Sequence, residues 1–574
     1  MLLEASDTKN QYESNLIKLQ AATRGVKVVY AGNKDLEQRL TGRFYTHERI
    51  GRSMAIDIAD RLTFQNIKRL RIIDPFCGDG RLICWLIEEL FSQKKLSILA
   101  VDITLWDCDE ASLKLAETSV LAALSKLLPL IKYSVKACTV DSFSKTLNFE
   151  CSFDVCITNP PWEIIRPDSR ELSKLDEVAK DAYIALLKEK VLNLENAYPH
   201  AKPARKFSGW GTNLACCGIE ASVRLVKDKG YFGIVAPATI FGDQVSAPLR
   251  TWLLTTNQVN TIHHYPAEAR LFDGVDQAAV YFVGKKEGLT NLNAFDNSQL
   301  DIIQHQEKPG EGIPPTLNLN FEFLKSHDFA IGFTSSLGIS SAMPYLMKLP
   351  KLSDFESNQY GLIKLGRELD ETGIAHKLCQ TGDYRFIKGR QVKRFSFDDS
   401  ASDFLNREIT PPVSANSLRI VWRDVARQSS VRRMIATLLP PGYVTGNSLN
   451  VLTVKAGYER LLNALLAVFN SAIFEALIRA SISTNHLSVG AIRKIRVPDL
   501  TNEKFLAEIG QLVESFLHSP NSETAAEIEV GVARWYGLPD DIYLEMLDQL
   551  EMKAPDDVAE IRKILIDSPR NNTL

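Results

Sequence analysis

Asn159, Pro160, Pro161 and Trp162 follow an apolar run in the stretch FDVCITNPPWEII, from Phe153 to Ile165. The run reads as a buried strand, and the two prolines remove backbone donors and stiffen the turn behind it. Such a turn holds two acceptors in place, the side-chain oxygen of Asn159 and the carbonyl of Pro160, with the indole of Trp162 beside them. That set suits an exocyclic amine on a flat ring. The lone pair of such a nitrogen is delocalised into the ring, so it is a poor nucleophile. Acceptors at both of its N–H bonds draw the nitrogen toward a pyramidal shape and localise the pair, and rigidity supplies the preorganisation this needs. Trp162 offers a stacking face for the ring. The proton can leave once the nitrogen is cationic, so neither a general base nor a metal is required before attack.

A second group of residues lies upstream. In LRIIDPFCGDGRLICWLIEEL an apolar strand ends at Asp74, and Gly78 and Gly80 turn the chain into a helix. Glycines permit a tight turn and close approach of a ligand, and the helix start presents free N–H groups. A GxG alone is common, but its place between strand and helix is the context that nucleotide binding requires. Farther on, LWDCDEASLKLA places Asp107 and Asp109 before an amphipathic helix. An acid at the end of a second strand is where a ribose diol is hydrogen-bonded. Asp107 is the candidate, with Asp102 the alternative, whereas Asp109 has the position of an N-cap. In CTVDSFSKT, Asp141 can accept from an amino group on a purine and Phe143 can cover the ring, or both can serve turn and core. The crevice of a doubly wound sheet lies at the carboxyl ends of its strands, where these acids and Asn159 converge.

The elements that would position them alternate. Between Phe44 and about Lys286 the strand candidates LRIIDPF, LSILAVDI, YSVKACTV, FDVCITN, GYFGIVAP, VNTIHHY and AAVYFVGKK are interleaved with helical stretches. This predicts an α/β fold with a doubly wound sheet of seven strands and an antiparallel end. Four regions are expected among the 574 residues: a helical lead-in over 1–40, the α/β domain over 41–290, a mixed α/β region over 291–500, and an acidic helical tail over 501–574. QEKPGEGIPPT reads as a linker at the second boundary. LLNALLAVFNSAIFEALI, from Leu461, is interrupted by Asn463, Asn470 and Glu475 and reads as a buried helix, not a membrane span.

Composition is that of an ordinary globular protein with a net charge of −3. The opening MLLEASDTKN lacks a basic segment followed by an apolar one, so no secretory signal is expected. Nine cysteines are scattered without a CxxC, and nine histidines show no ligand spacing. That fits core thiols in a reducing cytoplasm and no metal site. His263 and His264, adjacent on an expected strand, would face opposite ways. Charge is uneven: His376 to Thr437 has 12 Lys/Arg against 6 Asp/Glu, and the tail from Thr501 has 6 against 15. A basic middle of this kind is either a solvated mixed surface or a phosphate-facing one.

DPFCGDG followed by TNPPW resembles the S-adenosylmethionine-dependent amino-methyltransferases, specifically the DNA adenine-N6 class in its gamma motif order. GRFYTHERIGRSMA resembles the segment before the glycine loop in that order. ACCGIEASVRLVKDKGYFGIVAPATI resembles the helix and strand after the catalytic turn, and RLFDGVDQAAVYFVGKK the final strand pair. The resemblance implies a class I, Rossmann-like methyltransferase domain using S-adenosyl-L-methionine. It implies catalytic roles for Asn159, Pro160, Pro161 and Trp162. Cofactor contacts fall on Tyr45, Thr46, Asp74, Pro75, Cys77, Gly78, Gly80, Asp107, Cys108, Asp141 and Phe143. Trp162 and Phe272 would meet the flipped target base, although Phe272 is equally a core residue. Ser142 departs from the family pattern, in which the third-strand acid directly precedes the aromatic.

More loosely, YRFIKGRQVKRF, LNALLAVFNSAIFEALIR, HLSVGAIRKIRVPDL and ARWYGLP resemble the target-recognition region of single-chain type II modification enzymes. By that likeness Arg390, Lys393, Arg394, Arg423, Arg427, Arg432 and Arg433 would lie near phosphates or bases. The expected partners are duplex DNA and a separately encoded restriction endonuclease. Methylation of RNA or of a protein glutamine uses the same kind of turn, but there an extra domain usually precedes the catalytic one. Here the extra mass follows, as reading several base pairs would require. No Pro-Asp followed by Glu-x-Lys marks a fused nuclease at the N-terminus. A non-catalytic DNA specificity subunit is disfavoured by the intact turn and glycines.

Overall fold

Arg69–Asp74 alternates exposed and buried residues and then becomes wholly buried, which makes it a strand that enters the sheet from its rim; this is β1. The computed structural model describes residues 45–567, except 63–67, 93–99, 127–130, 169–171, 174, 207, 273–276, 288–298, 309–313, 334–337, 358–359, 375, 377, 401–402 and 483. The expected lead-in over 1–40 and the centre of the expected linker lie outside the described residues. The chain divides into two units, Met1–Pro315 and Thr316–Leu574.

In the first unit β1 is followed by β2 (Ala100–Asp107), β3 (Lys132–Thr139), β4 (Phe153–Thr158), β5 (Val226–Pro237), β6 (Asn257–Gln258), β7 (Thr261–Tyr265), β8 (Ala279–Lys286) and β9 (Gln299–Gln304). Their order is β9-β7-β8-β5-β4-β1-β2-β3, with β6 also pairing β8. The pairs β1–β2, β2–β3, β1–β4 and β4–β5 are parallel, and β8 runs antiparallel to both β5 and β7. All six residues of β4 are buried, the pattern of a strand covered on both faces of a parallel sheet.

The seven expected strands are present, with the antiparallel end where it was expected. β9 adds to them, parallel to β7, so the sheet continues past residue 290. β2 also runs beyond the expected stretch, through TLWD to Asp107. The chain leaves β1 toward β2 and β3, then crosses back to β4 on the other side. The crevice at such a reversal, at the carboxyl ends of β1 and β4, is where doubly wound sheets bind ligands.

Three helices, α1 (Glu48–Leu62), α2 (Arg81–Ser92) and α3 (Glu110–Lys126), share one apolar cluster with this sheet, built on Ile72, Ile103, Val155, Ile157 and Tyr281. The alternate residues Ile73, Cys156, Phe232 and Ile234 are buried as well, so the second face is also covered. The remaining helices that matter for the site are α4 (Ser142–Thr146), α5 (Glu177–Ala197) and α6 (Leu214–Leu225). α6 is buried along nearly its whole length.

The second unit has two four-stranded sheets. One has the order Ile363–Gly366, Leu449–Val454, Arg419–Arg423, Ala436–Leu439; the other Leu378–Cys379, Asp403–Leu405, Arg385–Ile387, Tyr443–Thr445. The apolar stretch from Leu461 forms two buried helices, Leu461–Asn470 and Ala472–Ser481, bent by 61°. Ser471 makes the break by capping the second helix through Phe474 N at 3.2 Å. Among the described residues no single helix is long and apolar enough to cross a membrane. The acidic tail belongs to this unit: Glu529, on the helix Ser522–Trp535, is buried against arginines of the basic stretch.

Candidate active site

The two turns singled out above end neighbouring strands. β1 and β4 pair in parallel through Ile72–Val155 and Ile73–Cys156, which brings Asp74–Gly80 beside Thr158–Trp162. One bond ties them directly: Thr158 Oγ1 donates to Asp74 Oδ1 at 2.6 Å. The same oxygen accepts from Phe76 N at 3.1 Å and shapes the start of the glycine turn.

The turn itself requires its glycines. Gly78 and Gly80 have φ of +52° and +79°, the left-handed region that L side chains rarely adopt. A Cβ on Gly80 would also lie 2.9 Å from Ala116 Cα of α3, whereas a Cβ on Gly78 would meet only the Tyr45 ring, at 3.4 Å. Gly80 therefore serves helix packing, and Gly78 leaves room on the ligand side. Asp107 bridges the loop ends: Oδ2 accepts from Gly78 N at 2.9 Å, Oδ1 from Asp109 N at 2.8 Å. Asp109 caps α3 through Ser112 N at 2.9 Å. Asp102, near the start of β2, is held by Arg69 at 2.5 Å and Ser134 at 2.6 Å, away from the carboxyl ends. The added length of β2 thus puts Asp107, and not Asp102, at the carboxyl end of the strand.

Tyr45 is 41% exposed and lies under the Arg81 guanidinium, 4.8 Å from ring centre to Cζ. Thr46 is buried, and its carbonyl accepts from Arg81 at 3.2 Å. Arg81 is in turn fixed by Asp79. Cys77 is buried and Cys108 exposed; burial pushes the Cys77 thiol far up, so it stays protonated. Asp141 is exposed and caps α4, accepting from Phe143 N at 3.2 Å. Ser142, the departure from the family pattern, donates its hydroxyl to the Pro75 carbonyl. Phe143 then stands against Phe76, rings 5.2 Å apart. The extra residue thus clips α4 to the glycine turn.

Asp74 is 1% exposed, and its Oδ2 has no hydrogen-bond partner. Burial pushes its carboxyl up to about 7, aided by repulsion from Asp107 and Asp79 and opposed by the bonds from Thr158 and Phe76. A raised folded-state pKa means that the folded state binds the proton more tightly. Stability contributed by that proton is therefore complete below pH 3.8 and lost as pH rises to about 7. Asp74→Asn keeps both accepted bonds and removes the charge. Wild type is expected to lose about 4 kcal/mol relative to this variant between about pH 4 and 8, measured by urea unfolding without cofactor. Parallel pH curves would contradict the assignment.

The Asn159–Trp162 turn is held from outside by groups that sequence reading did not single out. Ile165 N donates to Thr212 O at 2.9 Å and Leu214 N to Glu163 O at 2.8 Å, a short antiparallel clasp. Thr212 is fixed by the buried Glu195 of α5, whose Oε1 accepts from Thr212 Oγ1 at 2.6 Å. Lys206 neutralises that carboxylate at 2.8 Å. From below, Pro160 rests on Gly218 of α6, where a Cβ would lie 2.3 Å from Pro160 Cβ. The glycine in ACCGIEAS was the available signal for this contact. Pro160 is buried, Asn159 and Pro161 half-buried. Trp162 lies 4.7 Å from Phe272 at 55°, with its buried indole N–H unpartnered. Phe272 is 3% exposed, so it is both a core residue and the neighbour of Trp162.

The second unit corrects part of the basic surface. Arg432 and Arg433 are interior, and Arg394 is half-buried. Arg432 pairs with Glu529 at 2.7 Å and Arg394 with the same carboxylate at 3.3 Å. The Arg433 guanidinium donates to Ile482 O at 2.6 Å, and its backbone N–H to Glu475. Arg423 is half-buried and donates to Val392 O at 2.8 Å. The carboxylates that meet Arg394, Arg432 and the Arg433 backbone lie 42 to 135 residues away in the chain, which is why the local charge count read as a surface. Arg390, Lys393 and Arg427 are exposed, as a phosphate contact requires.

Comparison with known proteins agrees with the first unit. Residues 103–272 match the family model described as Eco57I restriction-modification methylase. That span begins in β2, after the glycine turn, and ends at Phe272. No curated protein matches. Among solved structures, the type IIG restriction endonuclease BpuSI is 14% identical, covering 95% of this chain and 68% of that one, with a TM-score of 0.40. The type IIL restriction-modification enzyme MmeI, in complex with DNA, is 11% identical over 90% and 74%, with a TM-score of 0.45. The methyltransferase subunit of a type I restriction-modification system from Streptococcus thermophilus is 15% identical over 51% and 60%, with a TM-score of 0.34. Likenesses this distant assign no activity. The family match does reach the decisive turn: over the strands that carry Asp107 and Asn159–Trp162, this chain is similar to the Eco57I restriction-modification methylases.

Proposed function

We propose that the protein is a DNA methyltransferase of the restriction-modification kind, and that it transfers a methyl group from S-adenosyl-L-methionine to N6 of an adenine flipped out of duplex DNA. One observation carries the reading. The rigid Asn159–Trp162 turn and the Gly78–Gly80 turn stand side by side at the carboxyl ends of β1 and β4, joined by the Thr158–Asp74 bond. The match to restriction-modification methylases over 103–272 supports DNA as the substrate.

The residues present fit the cofactor. Two left-handed glycines open a cradle that a Cβ at Gly78 would narrow against Tyr45. Asp107 sets a carboxylate directly on the Gly78 turn, a charge that favours a cationic ligand. Asp107, fixed at both ends of the loop, would take the ribose diol, Asp141 the adenine amino group, and Phe143 the ring. Tyr45 and Thr46 would border the methionine portion. When bound, the cofactor supplies an electrophilic methyl on a sulfonium. The chain's own contribution is positional. Asn159 and the Pro160 carbonyl accept from the two N–H bonds of the target amine, localising its lone pair. Trp162 stacks on the flipped base, with Phe272 behind it. After transfer the proton is lost from the cationic nitrogen, without a dedicated base.

The test is incubation with duplex DNA and cofactor labelled in the methyl group, then digestion to nucleosides. Label in N6-methyladenine is expected. Label in N4-methylcytosine, in RNA or in a protein glutamine would replace the substrate assignment, and binding of the cofactor without transfer would indicate a specificity subunit.

A further inference from the structure

Within the second unit, a buried carboxylate is used to orient an exposed imidazole. The Asp424 side chain is 4% exposed, and that of His486 is 64% exposed. Asp424 Oδ2 accepts from His486 Nδ1 at 2.7 Å, while Oδ1 takes Arg367 at 2.6 Å and Asn450 Nδ2 at 3.1 Å. A carboxylate is costly to bury, and holding a solvent-exposed ring gains little for stability. With a carboxylate on Nδ1, that nitrogen carries the proton, and Nε2 is left to a partner outside the fold.

The backbone is equally restrained. Val425 and His486 form an isolated antiparallel bridge. Ala426 N donates to Asn485 O at 2.8 Å, and Leu487 N to Asp424 O at 2.6 Å. Two further bonds bring a second segment to the same place: Asp424 N donates to Ser448 O at 3.0 Å, and Gly389 N to Ser448 Oγ at 3.1 Å. The exposed cations of the basic stretch follow directly on residues of this network: Arg427 on Ala426, Arg390 on Gly389, and Lys393 on Val392, whose carbonyl accepts from Arg423. Acids on the neighbouring segments are engaged: Asp370 with Asn447 at 3.2 Å, Glu371 with Lys388 at 3.5 Å, and Asp398 with its own turn at Ser400 N.

Long exposed cations suit phosphates, which carry no sequence information, whereas base edges are read by groups held in fixed orientation. We propose that this surface reads duplex DNA, with His486, positioned by Asp424, contacting a base edge, and with Arg390, Lys393 and Arg427 on the backbone. The proposal rests on the DNA reading above and adds to it the residue that selects sequence.

The experiment uses the full chain and a duplex library with a randomised core. Wild type is expected to enrich one motif. His486→Ala is expected to lose preference at one or two adjacent positions and to bind the wild-type-selected duplex about 10- to 100-fold more weakly. Its binding to a mixed-sequence duplex and its salt dependence are expected to be unchanged. Arg427→Ala is expected to weaken both duplexes alike and to lower the salt slope by about one. His486→Gln, which retains a donor toward Asp424, serves if the alanine variant melts early. A His486 variant that folds and selects the full wild-type motif overturns this proposal alone. A wild-type protein that neither selects nor methylates DNA overturns the functional reading, and this proposal with it.

Discussion

Asn159→Ala is expected to lower kcat by about three orders of magnitude, the scale found when one preorganised partner of a developing charge is removed. Cofactor binding should persist, because Gly78 is held by Asp107, and Asp74 by Thr158 and Phe76, in bonds that do not include Asn159. The Pro160 carbonyl remains, so the base can still be held by one acceptor, but its amine keeps most of its delocalised lone pair. Single-turnover methylation with saturating DNA separates chemistry from binding, and equilibrium titration of the cofactor supplies the second readout. A variant that retains even a tenth of wild-type turnover would show that the side-chain acceptor is not what activates the amine. Loss of cofactor binding in parallel would instead place Asn159 in the structure of the crevice.

Gly218→Ala should cost about two orders of magnitude in kcat, although the residue is on α6 and touches no reactant. Helix propensity argues the other way, since alanine in a helix is favoured over glycine by about 1 kcal/mol. Sterics decide. The added methyl would lie 2.3 Å from Pro160 Cβ. Carbon atoms rest at roughly 3.5–4.0 Å, so helix and turn must part by about 1 Å or more, and a misplacement of that size is worth about 100-fold in rate. The thermal midpoint should fall rather than rise, as in other overpacked cores. Turnover and midpoint measured together test this: an alanine variant that is more stable and equally active would mean that the turn is not seated on the helix.

The two turns of this site were legible largely because their signals are local. A proline pair after an apolar strand, and glycines between a strand and a helix, mean the same in most folds. Asp109 was readable as a cap for the same reason. Which acid ends the second strand was not, because the end of β2 depends on pairing with β3 as far as Asp107–Thr139, and pairing is not a property of TLWD alone. Nor was the clasp around the turn: Glu195, Lys206, Thr212 and Gly218 converge from α5, α6 and the chain between them. Ser142 looked like a departure from a pattern and proved to be a tether to Pro75.

The basic stretch marks the boundary most clearly. Composition found it, but burial divided it. Arg432 and Arg433 went inside and Arg394 halfway, with Glu529 on Arg394 and Arg432 and backbone carbonyls on Arg433, and Arg390, Lys393 and Arg427 stayed outside. A guanidinium is charged in either place, so its type cannot say whether it faces a phosphate or a buried carboxylate. That depends on which distant acid the fold delivers to it. By itself the sequence determined the order of strands and helices and the turns that carry the proposed chemistry, since hydrophobic period, proline and glycine act over a few residues. Only the tertiary structure decided which acid reaches the crevice, what holds the turn still and which cations remain exposed, because each is a contact between segments far apart in the chain.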